Sequence, residues 1–383
     1  MRFVLLGGGI ASLTCAQKLK ELRPGDEVVM VSGDKYPYSR MVLPNILKRE
    51  IEFKNALLSV PKGVKFRGGE KVISIDFERK FVYTPNGKLR YDKLLIATGS
   101  EPNYPFEEKY NSVVTVRNIE DVRRIEESVQ KGEDIIVFGG GFVSLEIVDA
   151  LIKRGVNPEV IVSSDYPLSR MLDEESGDFL KNLLMERGIK FRFDREIKAV
   201  KAGFIFTDKG EKLPCKLLIA GKGVIPALQF VKRGEVLKIN KFMETEFEDV
   251  YAAGDVVEVY DIVSGKYRPI PIWPVASLSG WYAALNMAGI KAPYTGFFPY
   301  NFLKTLDISI FVAGDMKSVP HDVLLWKKGE SFAKAIIKNG VIKGIVAINV
   351  EVDIPEWLRI IREQVKVEWV TKSFPWIRVK GKI

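Results

Sequence analysis

The sequence has only two cysteines, Cys15 and Cys215, and one histidine, His321, among its 383 residues. Two cysteines cannot form a disulfide framework, a four-cysteine zinc site or an iron–sulfur cluster held by the chain's own thiolates. We predict no metal site. Because disulfide-rich chains belong to oxidising compartments, the scarcity of cysteine favours a cytoplasmic location.

Signals for export or membrane insertion are also scarce. The apolar run Phe3 to Leu6 is too short for the apolar region of a signal peptide. Residues 269–290 carry no charge and have the length of a membrane span. Pro269, Pro271 and Pro274 interrupt this stretch, so we predict no transmembrane segment but a loop followed by a helix from about Val275 to Met287.

The composition is that of a folded globular protein, with 46% hydrophobic and 28% charged residues and a mean hydropathy of +0.01. The length allows two or three domains. Lysine and arginine number 58 against 49 acids, and the net charge of +9 favours an acidic partner or an anionic cofactor. Basic residues alternate with acids, as in residues 117–131, so we predict no binding to nucleic acid. An excess of basic residues with little cysteine is also typical of a thermophile protein.

One strand–turn–helix pattern occurs twice, 132 residues apart. The first copy has an apolar strand at residues 3–6, the turn Gly-Gly-Gly-Ile-Ala-Ser, a helix to about Leu22 and a strand at residues 28–31. The second copy has a strand at residues 135–138, the turn Gly-Gly-Gly-Phe-Val-Ser, a helix to about Arg154 and a strand at residues 160–162. The repeat predicts two Rossmann-like βαβ units.

Each turn nearly matches the fingerprint of a dinucleotide site. The first glycine permits a tight turn, the second lets the backbone approach a pyrophosphate, and the following helix offers free N–H groups to that anion. Two copies in the same setting indicate two dinucleotide sites. Their predicted binding residues are Gly7, Gly9 and Ser12 in the first copy and Gly139, Gly141 and Ser144 in the second.

Both copies lack the acid that usually follows the second strand and binds a ribose. Ser32 and Ser163 stand near that place, and Asp34 and Asp165 follow closely. This leaves the choice between NADH and NADPH open. Arg170 could meet a 2′-phosphate or be an ordinary surface charge.

Three further apolar strands end in small residues, at places where the carboxyl ends of strands face a ligand crevice. From about Tyr300 the sequence predicts β-hairpins, with a turn at Asn339-Gly340, followed by a helix from Ile354 to Val365. The strand ends add these predicted binding residues: Ala97, Thr98, Gly99, Gly223, Gly254 and Asp255.

Together these residues resemble the FAD-dependent pyridine nucleotide-disulfide oxidoreductase superfamily. Within it, they are most similar to the branch of NADH oxidases, rubredoxin and ferredoxin reductases and the flavin part of nitrite reductases. The resemblance covers nearly the whole chain. It is carried by the two glycine turns, Tyr38-Ser39-Arg40, Ala97-Thr98-Gly99, residues 139–146 and 170–175, Ala253-Gly254-Asp255 and Trp273-Pro274.

The resemblance implies an α/β fold with two Rossmann-like dinucleotide-binding domains and a C-terminal α+β interface domain. FAD would bind a domain formed by residues 1–108 and 227–299, and NADH or NADPH would bind residues 109–226. Residues 300–383 would form the interface domain and make a homodimer. By the same resemblance, Ser39, Arg40 and Asp255 would bind FAD, and Pro274 would lie among the cofactor-binding residues.

The resemblance also implies which side chains act in the reaction. Glu146 matches a family glutamate near the flavin N5, although it could instead be a glutamate favoured by the dipole of a helix's first turn. Asn45 stands where related ferredoxin reductases have a lysine that pairs with this acid, and Lys48 is a nearby substitute. Trp273 matches a position close to flavin and nicotinamide, with a core tryptophan as the alternative. Glu146, Trp273 and Asn45 are the candidate catalytic residues.

Disulfide reductases of this superfamily use a cysteine pair and a C-terminal histidine, and neither is present here. Cys15, Cys215 and His321 are interpreted as structural or surface residues, which leaves hydride transfer from NAD(P)H to flavin. Our leading hypothesis is an NAD(P)H:acceptor oxidoreductase that passes electrons to a small acidic carrier such as rubredoxin or ferredoxin.

The alternatives are an NADH oxidase, a reductase of a quinone or sulfur compound, and a flavin-binding subunit with little turnover. The basic, aromatic tail at residues 369–380 could dock a partner or pack within the C-terminal domain.

Overall fold

The computed structural model describes residues 1–106, 110–231, 236–318 and 322–368, and the backbone of residues 378–380. These residues divide into two compact units, each described by itself below. The first unit contains Met1–Arg40, Phe53–Glu101 and Val224–Phe297. The second unit contains Met41–Glu52, Pro102–Gly223 and Phe298–Ile383.

The described residues form seven α-helices and three short 3-10 turns. The 3-10 turns are Arg40–Val42, Phe53–Ala56 and Gly254–Val256. The α-helices, α1 to α7, are Ile10–Leu22, Leu43–Leu47, Ile119–Gln130, Phe142–Lys153, Glu174–Glu186, Trp273–Met287 and Ile354–Arg362.

The same residues form twenty-six strands. Strands β1 to β9 are Arg2–Leu6, Glu27–Ser32, Val64–Gly68, Ser74–Asp76, Phe81–Thr84, Gly87–Arg90, Lys93–Ile96, Ser100–Pro102 and Val113–Val114. Strands β10 to β20 are Ile135–Phe138, Glu159–Ile161, Lys190–Arg192, Ile197–Lys201, Phe204–Thr207, Lys212–Pro214, Leu217–Ala220, Val224–Pro226, Val250–Ala252, Val259–Asp261 and Lys266–Arg268. Strands β21 to β26 are Tyr300–Thr305, Ile308–Gly314, Asp322–Lys328, Ser331–Lys338, Val341–Ile348 and Arg378–Lys380.

The first unit is built around a five-stranded parallel sheet with the order β18-β7-β1-β2-β3. Its central strand is apolar and buried on both faces, as parallel sheets require. Helices α1 and α6 pack closely together. A Cβ at Gly280 of α6 would lie 2.2 Å from the carbonyl oxygen of Ala11 in α1, so the helix contact depends on a glycine there. This contact holds the start of α1, and the turn before it, against α6.

The second unit repeats this architecture with a parallel sheet of order β12-β11-β10-β16-β9. A three-stranded antiparallel sheet, β13-β14-β15, lies beside it. Ile197, Val200 and Ile205 of this small sheet join the core formed with Ile136 and Phe138 of β10. In the first unit the small sheet β4-β5-β6 is the counterpart. The repeat in the sequence therefore extends beyond the βαβ motif.

The C-terminal residues form a six-stranded antiparallel sheet of order β21-β22-β25-β24-β23-β26. Strands β24 and β25 are joined by Asn339-Gly340, where both residues have positive φ angles of 55° and 72°, as a tight hairpin turn requires. Helix α7 begins at the Asp353 cap, whose side chain accepts from the Glu356 N–H. It ends at Arg362, three residues before the predicted Val365, because Gln364 adopts a left-handed conformation.

The predicted fold class is confirmed: there are two parallel Rossmann-like sheets and a C-terminal antiparallel sheet with a helix. The predicted three-domain boundaries stay a prediction. The compact units place residues 41–52 and the whole C-terminal part from Phe298 with the second parallel sheet. Helix α6 begins at Trp273, two residues before the predicted start, because proline is tolerated in the first turn of a helix.

Helix α6, with 15 residues, lies within residues 269–290, the stretch considered as a membrane span. Within the described ranges, no helix combines the length and the apolar character needed to cross a bilayer. His321 and residues 369–377 of the basic tail lie outside the described residues, so the interpretations attached to them stay predictions.

Candidate functional site

The first glycine turn joins β1 to α1 in a conformation that leaves no room for side chains. Gly7 has φ +118°, and a Cβ there would lie 2.2 Å from the Ala97 carbonyl oxygen. A Cβ at Gly8 would lie 2.7 Å from the hydroxyl of Ser32. Around Gly9 there is open space, with nothing within 4 Å of a Cβ. The turn is thus tight on the sheet side and open at the start of the helix.

The second glycine turn, between β10 and α4, has the same stereochemistry. Gly139 has φ +130°, and its Cβ would lie 2.3 Å from the carbonyl oxygen of Gly221. Gly141 is again open, with nothing within 4 Å. In each turn the first glycine N–H donates to the neighbouring strand, to Val31 at 2.8 Å and to Ile161 at 2.8 Å. The two turns are therefore equivalent in backbone geometry as well as in sequence.

Both helix starts leave polar groups without partners. Gly9 and Gly141 are the N-caps of α1 and α4, neither gives a side-chain cap, and neither helix has an acid in its first turn. The buried hydroxyls of Ser12 and Ser144 have no hydrogen-bond partner among the described residues. Free N–H groups, a helix dipole and an unpartnered hydroxyl together suit a phosphate. The residues present fit the pyrophosphate of a dinucleotide at each turn.

The serine that replaces the usual acid lies beside the first turn. Ser32 is buried at the end of β2, and its hydroxyl accepts from the Asp34 N–H at 3.1 Å. The Asp34 carboxylate accepts a hydrogen bond from Arg40, whose guanidinium lies 5.3 Å from the centre of the Tyr38 ring. Ser39 donates its N–H to Ala56 at 2.8 Å. The structure brings Ser32, Asp34 and Arg40 together, and their role in binding a cofactor stays a prediction.

The strand ends of the first unit carry a second polar cluster. Gly254, with φ +79°, donates its N–H to the Ser279 hydroxyl at 3.0 Å, and a Cβ there would lie 3.3 Å from Ala11 Cβ. Gly254 thus lies against the start of α1, and Asp255 is the next residue in the chain. Its carboxylate accepts from the Ser100 hydroxyl at 2.6 Å. The sequence did not single out Ser100, which holds the predicted acid in place.

Not every predicted binding residue offers a free polar group. The Thr98 hydroxyl donates to the Ala227 carbonyl at 2.7 Å, and Gly99 accepts from the Ala227 N–H at 3.0 Å. Thr98 and Gly99 thus hold the segment after β17, while Ala97 contributes the carbonyl that packs on Gly7. Trp273 is half-buried at the first position of α6, followed by Pro274. By contrast, Trp357 is fully buried, as a core tryptophan is.

The corresponding edge of the second sheet carries cations. Ser163, after β11, accepts a hydrogen bond from Lys222, which also pairs with Glu196 at 3.0 Å. The Arg170 guanidinium lies beside Gly223, within 3.0 Å of where a Cβ would stand. Arg170 is exposed. The sequence analysis named Ser163, Arg170 and Gly223 for this site, but no motif pointed to Lys222.

Glu146 lies on the helix that follows the second turn. It is the fifth residue of α4, and the first turn of that helix has no acid, so the alternative of a first-turn glutamate does not describe it. Burial raises its pKa to about 7, Lys48 acts in the opposite direction, and Asp149 adds to the rise. A carboxyl group that titrates near neutral pH is typical of a functional site.

The sequence left open whether Lys48 takes the place of the family lysine that pairs with Glu146. Lys48, just after α2, forms an ion pair with Asp149 at 2.6 Å, and both side chains are almost fully buried, at 5% and 4% exposure. Asn45, the other candidate, instead donates to Glu50 at 2.9 Å. Among the described ion pairs none joins Lys48 to Glu146. Asp149 was missed, although Glu146, Asp149 and Lys153 share one face of α4 by their spacing.

The comparisons with known proteins agree with this geometry. A protein-family model described as "Pyridine nucleotide-disulphide oxidoreductase" matches residues 1–280. The chain belongs to this family. The protein is accordingly an FAD-dependent oxidoreductase that uses NAD(P)H. It transfers electrons between the nicotinamide nucleotide and an acceptor through the flavin.

Relatives of this oxidoreductase differ in what their names say they reduce. An NADH-rubredoxin oxidoreductase of Clostridium acetobutylicum is 28% identical over 360 residues, which cover 91% of this chain and 90% of that protein. An NADH oxidase of Methanocaldococcus jannaschii is 27% identical over 326 residues, covering 77% and 71%. The structure of an NAD-dependent persulfide reductase from A. fulgidus superimposes with a TM-score of 0.89 over 97% of this chain and 79% of that chain, at 22% identity, which supports the fold.

The raised pKa of Glu146 gives a testable pH dependence of stability. Because the folded state favours the protonated carboxyl, stability from this group is present below its ordinary pKa of 4.5 and is lost as the pH rises through about 7. E146Q removes this loss, so its free energy of unfolding should gain up to about 3 kcal/mol over the unsubstituted protein between pH 5 and pH 8. Urea unfolding at the two pH values measures the difference.

Glu120→Gln is the matched control, because Glu120 is an exposed glutamate of α3 with 66% side-chain exposure. It should leave the pH dependence of unfolding as it is. An E146Q protein with the same pH dependence as the unsubstituted one would contradict the raised pKa.

Proposed function

We propose that this enzyme is an NAD(P)H:acceptor oxidoreductase that binds FAD at the first glycine turn and NADH or NADPH at the second. We further propose that its electrons leave to a small acidic redox protein of the rubredoxin or ferredoxin kind. The observation that carries the proposal is the pair of equivalent turns, each with a helix that has no side-chain cap and a serine hydroxyl that has no partner in the described part of the chain. Two such turns suit two dinucleotides.

The polar groups of the first unit support its assignment to FAD. Asp255, held by Ser100, is an acceptor for a ribityl hydroxyl beside the start of α1. Ser32 and Asp34 supply acceptors for a ribose, and Arg40, fixed by Asp34, adds a cation to the same edge. Acceptors and a cation in this arrangement suit a ligand that carries both hydroxyls and a pyrophosphate.

When bound, the two cofactors supply the redox chemistry: the nicotinamide gives a hydride, and the flavin takes it up and releases the electrons singly or in pairs. The chain's own residues align and shield that exchange. Trp273 keeps part of its ring accessible and is our candidate for covering the reacting rings. Glu146 provides a carboxyl that can hold or release a proton near pH 7, and Asn45 keeps its place at the α2–α4 contact through Glu50.

The cysteines support an acceptor outside the chain rather than an internal thiol. Cys15 is fully buried in α1, with its sulfur 3.9 Å from that of Met287, and burial raises the pKa of its thiol. Burial likewise raises the pKa of Cys215 to about 12. Thiols with such pKa values are not thiolates at neutral pH and do not react readily. Electron relay through either cysteine is therefore disfavoured.

The net charge of +9 supports an acidic protein as that acceptor, because complementary charge speeds transient encounters. The relative from Clostridium acetobutylicum is named for rubredoxin, in agreement with this choice. Two alternatives follow from the names of other similar proteins. The NADH oxidase suggests reduction of oxygen, and the persulfide reductase suggests reduction of a sulfur compound. A flavin-binding subunit with little turnover is the third.

A comparison of acceptors tests the proposal. With NADH or NADPH in excess, we expect rapid reduction of an acidic rubredoxin, slowing several-fold as NaCl rises to about 0.3 M because salt screens the attraction. A neutral quinone serves as the control, since its reduction should not depend on salt. Oxygen consumption as fast as carrier reduction would favour the oxidase, rapid reduction of polysulfide alone would favour the sulfur reductase, and no multiple turnover would favour the subunit.

We also propose that the enzyme accepts NADPH at least as well as NADH. In the second copy Ser163 stands near the sequence position of the acid that would repel a 2′-phosphate, and Lys222 and Arg170 lie along the same edge of the second sheet. Lys222 is shared with Glu196, whereas Arg170 is exposed beside Gly223. Arg170 is therefore the residue most available to a phosphate.

Arg170→Ala should raise KM for NADPH by roughly two- to fivefold, the size of one exposed charge contact, and leave KM for NADH nearly unchanged. Lys198→Ala is a suitable control, because Lys198 is an exposed cation of β13. Steady-state kinetics with both nucleotides gives the comparison. If R170A changed KM for NADPH and KM for NADH by the same factor, Arg170 would not bind the 2′-phosphate.

Dimer formation through residues 300–383 is part of the same proposal. The six-stranded antiparallel sheet, with β21 at one edge, would be the surface that meets the second copy of the chain. Light scattering of the purified enzyme gives the mass directly, and a monomer would remove this part of the proposal.

A further inference from the structure

Helix α2 is fastened to α4 by a buried ion pair. Lys48 and Asp149 are 2.6 Å apart, with only 5% and 4% of their side chains exposed. Nearby, Arg154 donates to the Leu47 carbonyl at 3.0 Å. A buried charge without its partner is costly, so each member of the pair constrains where the other can lie. Asp149 therefore decides the position of the Lys48 ammonium.

Lys48 has a second acid within electrostatic reach. Glu146 precedes Asp149 by three residues and lies on the same face of α4. The charge of Lys48 lowers the pKa of Glu146, yet the pair is not within ion-pair distance. Among the residues that the structure describes, Lys48 forms an ion pair with Asp149 and with no other acid, so the ammonium is bound to Asp149 and merely near Glu146.

The remaining charged groups around this contact are already balanced. Lys153 lies 3.6 Å from Asp149 and 3.2 Å from Glu50. On the neighbouring α3, Glu126 pairs with Arg154 at 3.3 Å and lies 3.8 Å from Arg49. On the C-terminal side, β21 presents the Thr305 hydroxyl, which donates to the Leu145 carbonyl. When Glu146 is protonated and neutral, the two positive charges of Lys48 and Lys153 are balanced by the two negative charges of Asp149 and Glu50.

We propose that Asp149 is a positioning residue for the reaction: by binding Lys48 in the buried α2–α4 contact, it keeps the ammonium from forming a direct ion pair with Glu146, the carboxyl one turn before it on α4. This inference rests on the proposed function, which gives the Glu146 carboxyl the task of holding or releasing a proton. It adds a residue that touches neither cofactor. Asp149 acts through Lys48, and Lys48 acts on Glu146 by its charge.

The proposal requires opposite effects from the two partners. Asp149→Asn frees Lys48 to pair with Glu146 and removes a neighbouring negative charge, and both changes favour the ionised carboxylate. Lys48→Met removes the cation and favours the protonated form. A role confined to packing would move the two variants in the same direction, since both would loosen the α2–α4 contact.

The experiment follows the carboxyl directly, in FAD-loaded protein labelled with 13C at the glutamate side-chain carboxyl. The unsubstituted protein should show one signal with a midpoint near pH 7 that is absent in E146Q. D149N should lower this midpoint by about one pH unit or more, and K48M should raise it. The pH profile of flavin reduction by NADPH should shift in the same directions.

Asp121→Asn is the matched control, because Asp121 is also a buried acid, on α3, and accepts from the Arg117 N–H. It should leave the midpoint of Glu146 unchanged. Unchanged midpoints in D149N and K48M, or shifts of the same sign, would overturn the positioning role. If neither nucleotide reduces the flavin, the proposed function fails, while the carboxyl titrations still decide the role of Asp149. If only one variant folds, the sign of its shift decides the proposal.

Discussion

The close approach of a glycine backbone to a strand end is the constraint on which the rest of the structure depends. At Gly7 and Gly139 a single added carbon would overlap a carbonyl oxygen at 2.2 and 2.3 Å. Only glycine reaches this conformation without strain. Because the turns are this tight, α1 and α4 begin directly at the edge of their sheets with their N–H groups free. The dinucleotide chemistry of the family follows from that placement.

A second constraint acts on the chemistry rather than on binding. The α2–α4 contact buries the Lys48–Asp149 ion pair, and among the described residues no ion pair is formed by Glu146. Burial raises the pKa of Glu146 to about 7, while the two cysteines are held as buried, unreactive thiols. Neither cysteine is available as a thiolate relay, in contrast to the cysteine pair of the disulfide reductases that the sequence resembles. This difference agrees with an acceptor that is reduced by the flavin itself.

Features that depend on local backbone rules could be predicted from the sequence. The two glycine turns, the Asn339-Gly340 hairpin and the buried parallel strands each rest on a few adjacent residues. Pairings between distant side chains could not be predicted in this way. The pairings of Asp149 with Lys48, of Ser100 with Asp255 and of Lys222 with Ser163 are set by the packing of elements, and the paired residues are 59 to 155 residues apart in the chain. Only the helical spacing of Glu146 and Asp149 gave a signal.

The central claim is that the two turns hold one flavin and one nicotinamide nucleotide that exchange a hydride. The visible spectrum of the purified protein, followed by anaerobic titration with NADH and separately with NADPH, tests it most directly. We predict flavin bands near about 380 and 450 nm that bleach with about one equivalent of nucleotide. A protein that is colourless and cannot be reconstituted with FAD, or whose flavin neither nucleotide bleaches, would contradict the account.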